Sequence, residues 1–67
     1  MIPAKRQEQI LKTINKNGTA SVGDLSRWMK VSKVTIRRDL EELFVRGLVL
    51  RTFGGATSVY STLAHEI

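Results

Sequence analysis

The chain has 67 residues, with 11 Lys and Arg against 6 Asp and Glu, a net charge of +5, and no cysteine. So small a domain lacks the interior for both a core and a deep substrate pocket. The missing cysteines exclude a disulfide framework and a thiolate metal site. There is no signal-peptide pattern and no apolar run long enough to cross a bilayer, so no membrane is expected and the expected compartment is the cytoplasm.

A positive balance of this size suits nucleic acid or an anionic surface, or simply keeps the chain soluble. The placement of the charges has to decide. Pro3 suits a first helical turn, where its missing N–H costs nothing. Ile10, Leu11 and Ile14 follow at helical spacing, with Gln7 and Lys12 expected on the outer side. "NKNG", ending in Gly18, stops this helix, which is predicted over residues 3–16. "TASV" reads as a brief extended segment.

Ser21 then caps a second helix, with Asp24 three residues on. Val22, Leu25 and Met29 form its apolar stripe, and the small Ser26 allows a neighbouring helix to come close. Trp28 lies beside the stripe and reads as packing at the domain edge rather than as a stacking platform. Ser32 has the chemistry of a new N-cap, so the second helix must end by Lys30. Two short helices joined by so tight a turn form a helix-turn-helix. A left-handed backbone at Lys30 would cost on the order of 1 kcal/mol.

The third helix is predicted over residues 33–46, ended by Gly47. Ile36, Leu40 and Leu43 face inward with Gly47, and Phe44 sits at the edge. The outward face of its first half then carries Val34 and Arg38 in the middle. Lys33 and Arg37 flank them on one side and Thr35 on the other. Lys33 at the first position opposes the helix dipole at roughly 0.3–1 kcal/mol, a penalty that a nearby phosphate would reverse. Glu41 and Glu42 would repel phosphates. The helix should therefore enter a DNA major groove by its N-terminal end and tilt away. There an arginine can donate two hydrogen bonds to guanine, and a valine can pack on a thymine methyl. The Ser32 and Thr35 hydroxyls suit phosphate oxygens. The competing reading pairs Arg37 with Glu41 and Arg38 with Glu42 on a plain solvated face, in the weaker basic-before-acidic order.

After Gly47, the β-branched run over residues 48–52 reads as a strand, Gly54-Gly55 as a tight turn, and "ATSVY" as the return strand. The fold class is therefore mainly α: a three-helix winged helix-turn-helix with a C-terminal β-hairpin wing. Arg51 and Thr52 sit beside the turn, where the wing over residues 51–56 can reach the DNA backbone or minor groove. For Lys5 and Arg6 a phosphate contact and a solvated position are nearly balanced. The closing "STLAHEI" has no clear pattern. The domain is read as residues 1–57, with residues 58–67 as wing end and linker.

An enzyme is not expected. The single histidine, His65, lies in the tail, the acidic residues read as cap, ion-pair or surface groups, and no phosphate-binding glycine loop precedes a helix. No catalytic residue, cofactor or metal is expected. A winged helix that binds protein and not DNA remains the alternative, because fold does not fix function. A membrane-surface peptide fits poorly, since the apolar stripes have the width for packing into a globule.

"VSKVTIRRDL" followed by "LEELFVRGLVLRTFGGA" resembles the N-terminal winged helix-turn-helix of the DeoR family of bacterial transcription regulators. The likeness runs from Arg6 to Ala56, and "TIRRDL" with Gly47 and Gly54-Gly55-Ala56 is its specific part. The resemblance implies that Ser32, Lys33, Val34, Thr35, Arg37 and Arg38 lie in the DNA-reading helix, with Arg51 in the wing. It implies double-stranded DNA as partner and a repressor of sugar, sugar-phosphate or nucleoside catabolism genes, acting at the bacterial nucleoid. It also implies a C-terminal domain, absent from this chain, that senses a phosphorylated sugar and drives homo-oligomerisation. The chain would then be a DNA-binding domain cut from a longer regulator. Phe53 departs from the pattern, which often has histidine before the two glycines.

Overall fold

The computed structural model describes residues 3–60. In chain order the elements are α1 (Pro3–Asn17), β1 (Thr19–Ser21), α2 (Val22–Met29), α3 (Lys33–Val45), β2 (Val49–Thr52) and β3 (Gly55–Ser58). The three helices and the hairpin stand where the sequence puts them. The expected tail after Tyr60, with His65, lies outside the described residues.

The helix ends are set by local chemistry. Gly18 takes a φ of 87° and its N–H donates to the Ile14 carbonyl at 2.7 Å, closing α1. Ser21 caps α2, its Oγ accepting from the Asp24 N–H at 3.0 Å. Lys30 adopts a left-handed backbone, with φ 57° and ψ 44°, and so carries the strain reckoned for that case. The turn is closed from inside as well: the Ser26 hydroxyl donates to the Val31 carbonyl at 2.6 Å. Ser26 thus ties the turn down rather than merely making room. Gly47, at φ 77°, ends α3, with the Leu48 N–H returning to the Leu43 carbonyl at 3.0 Å. This is a Schellman-type close, which satisfies carbonyls that the last turn would leave bare.

The apolar stripes meet in one core. Ile10 and Ile14 of α1, Leu25 of α2, Ile36, Leu40 and Leu43 of α3, and Val49 of β2 are all buried. The extended segment before α2 does more than the sequence suggested. It joins the hairpin as a third antiparallel strand, giving the order β1-β3-β2. Ala20 pairs with Ala56 on one side, and Arg51 pairs with Ala56 on the other. The wing is therefore a central strand with a neighbour on each edge, not a free hairpin. A two-stranded hairpin alone is marginal in water, and the third strand braces it. The hairpin's return strand ends at Ser58, two residues short of the expected Tyr60.

The two glycines of the expected turn have separate duties. Gly54, at φ 85°, is the turn residue. Gly55 is already in β3, opposite Thr52 and Ser21. A Cβ built on Gly55 would lie 2.2 Å from the Ala20 carbonyl oxygen. Gly55 is needed because β1 passes so close.

One cluster corrects the sequence reading. The sequence reading puts Gln7 on the outer side and Arg6 beside phosphate or in solvent; Asp39, among the cap, ion-pair or surface groups, is an ion-pair member, but a buried one. All three are buried together between α1 and α3. The Arg6 guanidinium grips both oxygens of Asp39, with Nη2 donating to Oδ1 at 3.0 Å and Nε donating to Oδ2. Gln7 Nε2 donates to Oδ1 at 3.2 Å. The hydrogen bond to Asp39 raises the Arg6 guanidinium above its already high pKa, so Arg6 stays charged. Such a two-pronged arginine–carboxylate pair fixes geometry as well as charge.

Candidate nucleic-acid interface

The leading half of α3 is built to stand free. Ser32, in extended conformation at φ −69° and ψ 157°, caps the helix, its Oγ accepting from the Thr35 N–H at 3.1 Å. The Ser32 hydroxyl also donates to Thr35 Oγ1 at 3.0 Å. That leaves the Thr35 hydroxyl hydrogen available to an outside acceptor. With the cap satisfied and Ile36, Leu40 and Leu43 pinned in the core, the remaining positions must turn outward.

They do so as a group. Lys33, Val34, Arg37 and Arg38 are exposed, Val34 at 63 %, while Thr35 is half-buried. Neither of the four-apart pairs allowed by spacing forms. Among the described residues, the ion pairs are Arg6–Asp39, Lys12–Glu8, Arg27–Asp24 and Arg51–Glu41. Lys33, Arg37 and Arg38 enter none of them. Three cations on under two turns of helix thus face solvent with no ion-pair partner among the described residues.

The wing stands beside this face, and one ion pair shows where. Glu41 comes seven residues after Val34, so it points in nearly the same direction, about 10 Å further along the axis. Arg51 Nη1 of β2 donates to Glu41 Oε2 at 3.0 Å, and its Nε donates to the Gly55 carbonyl at 3.3 Å. Arg51 is thus partly engaged inside the protein, held between the wing turn and α3. Thr52 is exposed next to it. Sequence reasoning could not find this pair, because ten residues and a change from helix to strand separate its members.

The tip of the wing is Phe53, which is fully exposed. Behind it the hairpin is tied to the body by the Val22 N–H, which donates to the Gly54 carbonyl at 2.8 Å. Trp28, expected to pack at the domain edge, is 56 % exposed. It lines a shallow groove with Asp24, Thr52 and Phe53. The groove is open to solvent. Among the described residues no cluster of acidic or histidine side chains could hold a metal ion, and no helix is long and apolar enough to cross a membrane.

The chain is similar to known proteins over most of its length. The chain is 46 % identical over 61 residues to the HTH-type transcriptional regulator GlpR of Haloferax volcanii, covering 91 % of this chain and 24 % of that protein. It is 44 % identical over 66 residues to the lactose phosphotransferase system repressor of Streptococcus mutans, covering 92 % and 26 %. It is 49 % identical over 53 residues to the L-fucose operon activator of Haemophilus influenzae, covering 79 % and 21 %. Each of these is named as a regulator, not an enzyme. The chain spans about a quarter of the length of these curated relatives. No solved structure matches it significantly. The model of the DeoR-like helix-turn-helix domain matches residues 6–62, and with that likeness across nearly its whole length the chain belongs to the DeoR-like helix-turn-helix family.

Proposed function

We propose that this chain binds double-stranded DNA sequence-specifically, as the DNA-reading domain of a bacterial transcription regulator. The leading half of α3 enters the major groove, and the wing over residues 51–56 lies on the backbone or minor groove. The observation that carries this reading is the exposed set of Lys33, Arg37 and Arg38, with no ion-pair partner among the described residues. Arg38, beside Val34, reads base edges. Lys33, Arg37 and the Ser32–Thr35 cap meet phosphates.

Titrating the chain with duplex DNA at several salt concentrations tests this. Each phosphate contact contributes about 0.9 to the log–log slope, so affinity should fall steeply with salt. Arg38→Ala should flatten the preference among sequences by about 1–3 kcal/mol, the worth of a bidentate base contact. Lys33→Ala should weaken binding to every sequence alike and reduce the salt slope by about one contact. Binding that ignores salt would favour a protein-binding winged helix instead.

Arg51 serves the same interface from its place against Glu41. By holding that carboxylate it lessens the repulsion a phosphate would meet on this face. Arg51→Ala should weaken DNA binding by about 1 kcal/mol, roughly fivefold. Adding Glu41→Gln should restore most of the loss. If the double variant binds as poorly as the single one, Arg51 acts by direct contact and not through Glu41.

The relatives named for the lactose phosphotransferase system and an L-fucose operon support control of sugar or sugar-phosphate catabolism genes. Several relatives are named repressors, which supports repression. In this reading residues 1–57 form the DNA-binding domain in the bacterial cytoplasm. Residues 58–67, the end of the wing and a linker, lead towards a C-terminal domain that binds a phosphorylated sugar and joins copies of the regulator. Footprinting of the longer protein with candidate sugar phosphates tests this part: the expected result is release of the operator by one of them.

A further inference from the structure

We infer that the buried cluster of Arg6, Gln7 and Asp39 positions Arg38: it fixes the rotation of α3 and so sets how sharply this domain tells one DNA sequence from another. The inference rests on the DNA-binding reading above and adds to it three positioning residues that touch no DNA themselves.

For stability alone this cluster is a poor choice. Asp39 is 1 % exposed and Arg6 8 %, so both charges have left water. Apolar side chains of similar volume often serve a core as well or better, because they carry no desolvation cost. What the ions add is direction. Nε and Nη2 of Arg6 hold the two oxygens of Asp39, a planar grip with narrow tolerance. Gln7 adds a third bond, to Oδ1. Both donor side chains come from α1, so the tie joins two helices rather than stiffening one. Among the described residues no buried side-chain nitrogen or oxygen lacks a partner. A polar cluster satisfied in this way specifies one arrangement.

The other contacts that seat α3 lack such direction. Ile36, Leu40 and Leu43 hold it by burial, which is non-directional. Cores of that kind lose uniqueness of packing before they lose stability. Arg38 and Asp39 are neighbours about 100° apart around the helix axis. One faces solvent and the other is buried, and a turn of α3 moves both. Side chains reach about 6 Å from the axis, so a turn of about 15° carries such a group about 1.5 Å. Good hydrogen-bond distances span only about 0.5 Å. A forked contact between Arg38 and guanine would be lost by that shift, while a lysine meeting a phosphate as a point charge would tolerate it.

The test compares this chain with Arg6→Met/Asp39→Leu and with Arg6→Lys. A pool of randomised duplexes supplies the preferred sequence. Affinities for that duplex and for a random one are then measured at several salt concentrations, with urea midpoints alongside. The apolar pair should keep the salt slope and the affinity for random duplex, since both reflect phosphate contacts. Its preference for the selected duplex should fall on the order of tenfold, within the worth of one bidentate base contact. Arg6→Lys keeps the charge but not the fork, and its preference should lie in between. Arg38→Ala should flatten the preference of the wild type yet add little in the apolar pair, a non-additivity that a merely structural role would not produce. Wild-type preference in the apolar pair, or a loss shared evenly by selected and random duplex, would overturn the positioning role while leaving DNA binding standing. Should the apolar pair fail to fold, Arg6→Lys decides alone: reduced preference supports the role and wild-type preference overturns it. Failure of the wild type to bind any duplex would overturn the DNA-binding reading itself.

Discussion

Asp39→Ala should cost the domain about 3 kcal/mol, roughly a third or more of its total stability. The substitution removes the only acceptor among the described residues for a buried guanidinium, and it strands the Gln7 amide as well. Breaking one side of a buried ion pair costs about 3–5 kcal/mol, because the remaining charge stays desolvated and unpaired. Arg6 lies near the edge of a small domain, with its side chain 10 % exposed, so the lower end, about 3 kcal/mol, applies. A domain of this length is stabilised by only about 3–10 kcal/mol in total. Urea denaturation followed by circular dichroism measures the loss directly. Asp39→Asn keeps the shape and an acceptor, so it should fall between the two. The double change Arg6→Met with Asp39→Leu should recover most of the stability, since apolar groups of similar size need no partner. An Asp39→Ala midpoint equal to that of the wild type would refute the role given to this pair. The consequence for function is positional. Asp39 follows Arg38 directly, so the clamp from α1 fixes how the reading face of α3 is turned.

Gly55→Ala and Gly54→Ala should differ sharply although the residues are neighbours. At Gly54 an added methyl meets nothing within 4 Å, and only the positive φ is strained, at on the order of 1 kcal/mol. At Gly55 the new Cβ would lie 2.2 Å from the Ala20 oxygen and 2.9 Å from Ser21 Cα. Both are backbone atoms of β1 and cannot rotate away. β1 must separate from β3 or the hairpin must shift, at about 3 kcal/mol, the upper end of overpacking costs. Because β1 leads directly into the cap of α2, the damage should reach the helix-turn-helix. Urea midpoints of the two variants decide the matter. Equal, small losses would mean that the sheet yields more easily than its geometry indicates.

The contrast between these two glycines shows what a sequence can and cannot state. "GG" announces a turn, and Gly54 makes one. That Gly55 is there for space depends on a strand 34 residues earlier in the chain, which no local pattern reveals. Asp39 carries a partial signal. It lies three residues after Ile36 and four before Leu43, on the inward side of α3, and a carboxylate there demands a partner. Arg6 and Gln7 supply it from α1, but their spacing relative to Asp39 is set only by how the two helices pack. Glu41 was open to Arg37 by spacing alone. The fold gives it to Arg51, because β2 runs beside that stripe and the pairing leaves Arg37 in solvent.

By itself the sequence determined the three helices, the caps at Ser21 and Ser32, the tight turn at Lys30, the glycine stop at Gly47, the apolar stripes and the cationic leading half of α3. These follow from short-range chemistry, in which a residue and its neighbours within a turn or two settle the outcome. Only the tertiary structure decided the third strand, the buried Arg6–Asp39 clamp, the capture of Glu41 by Arg51 and the braced, exposed tip at Phe53. Each of those depends on groups distant in sequence that meet only after the core closes, and burial and charge then select the partners.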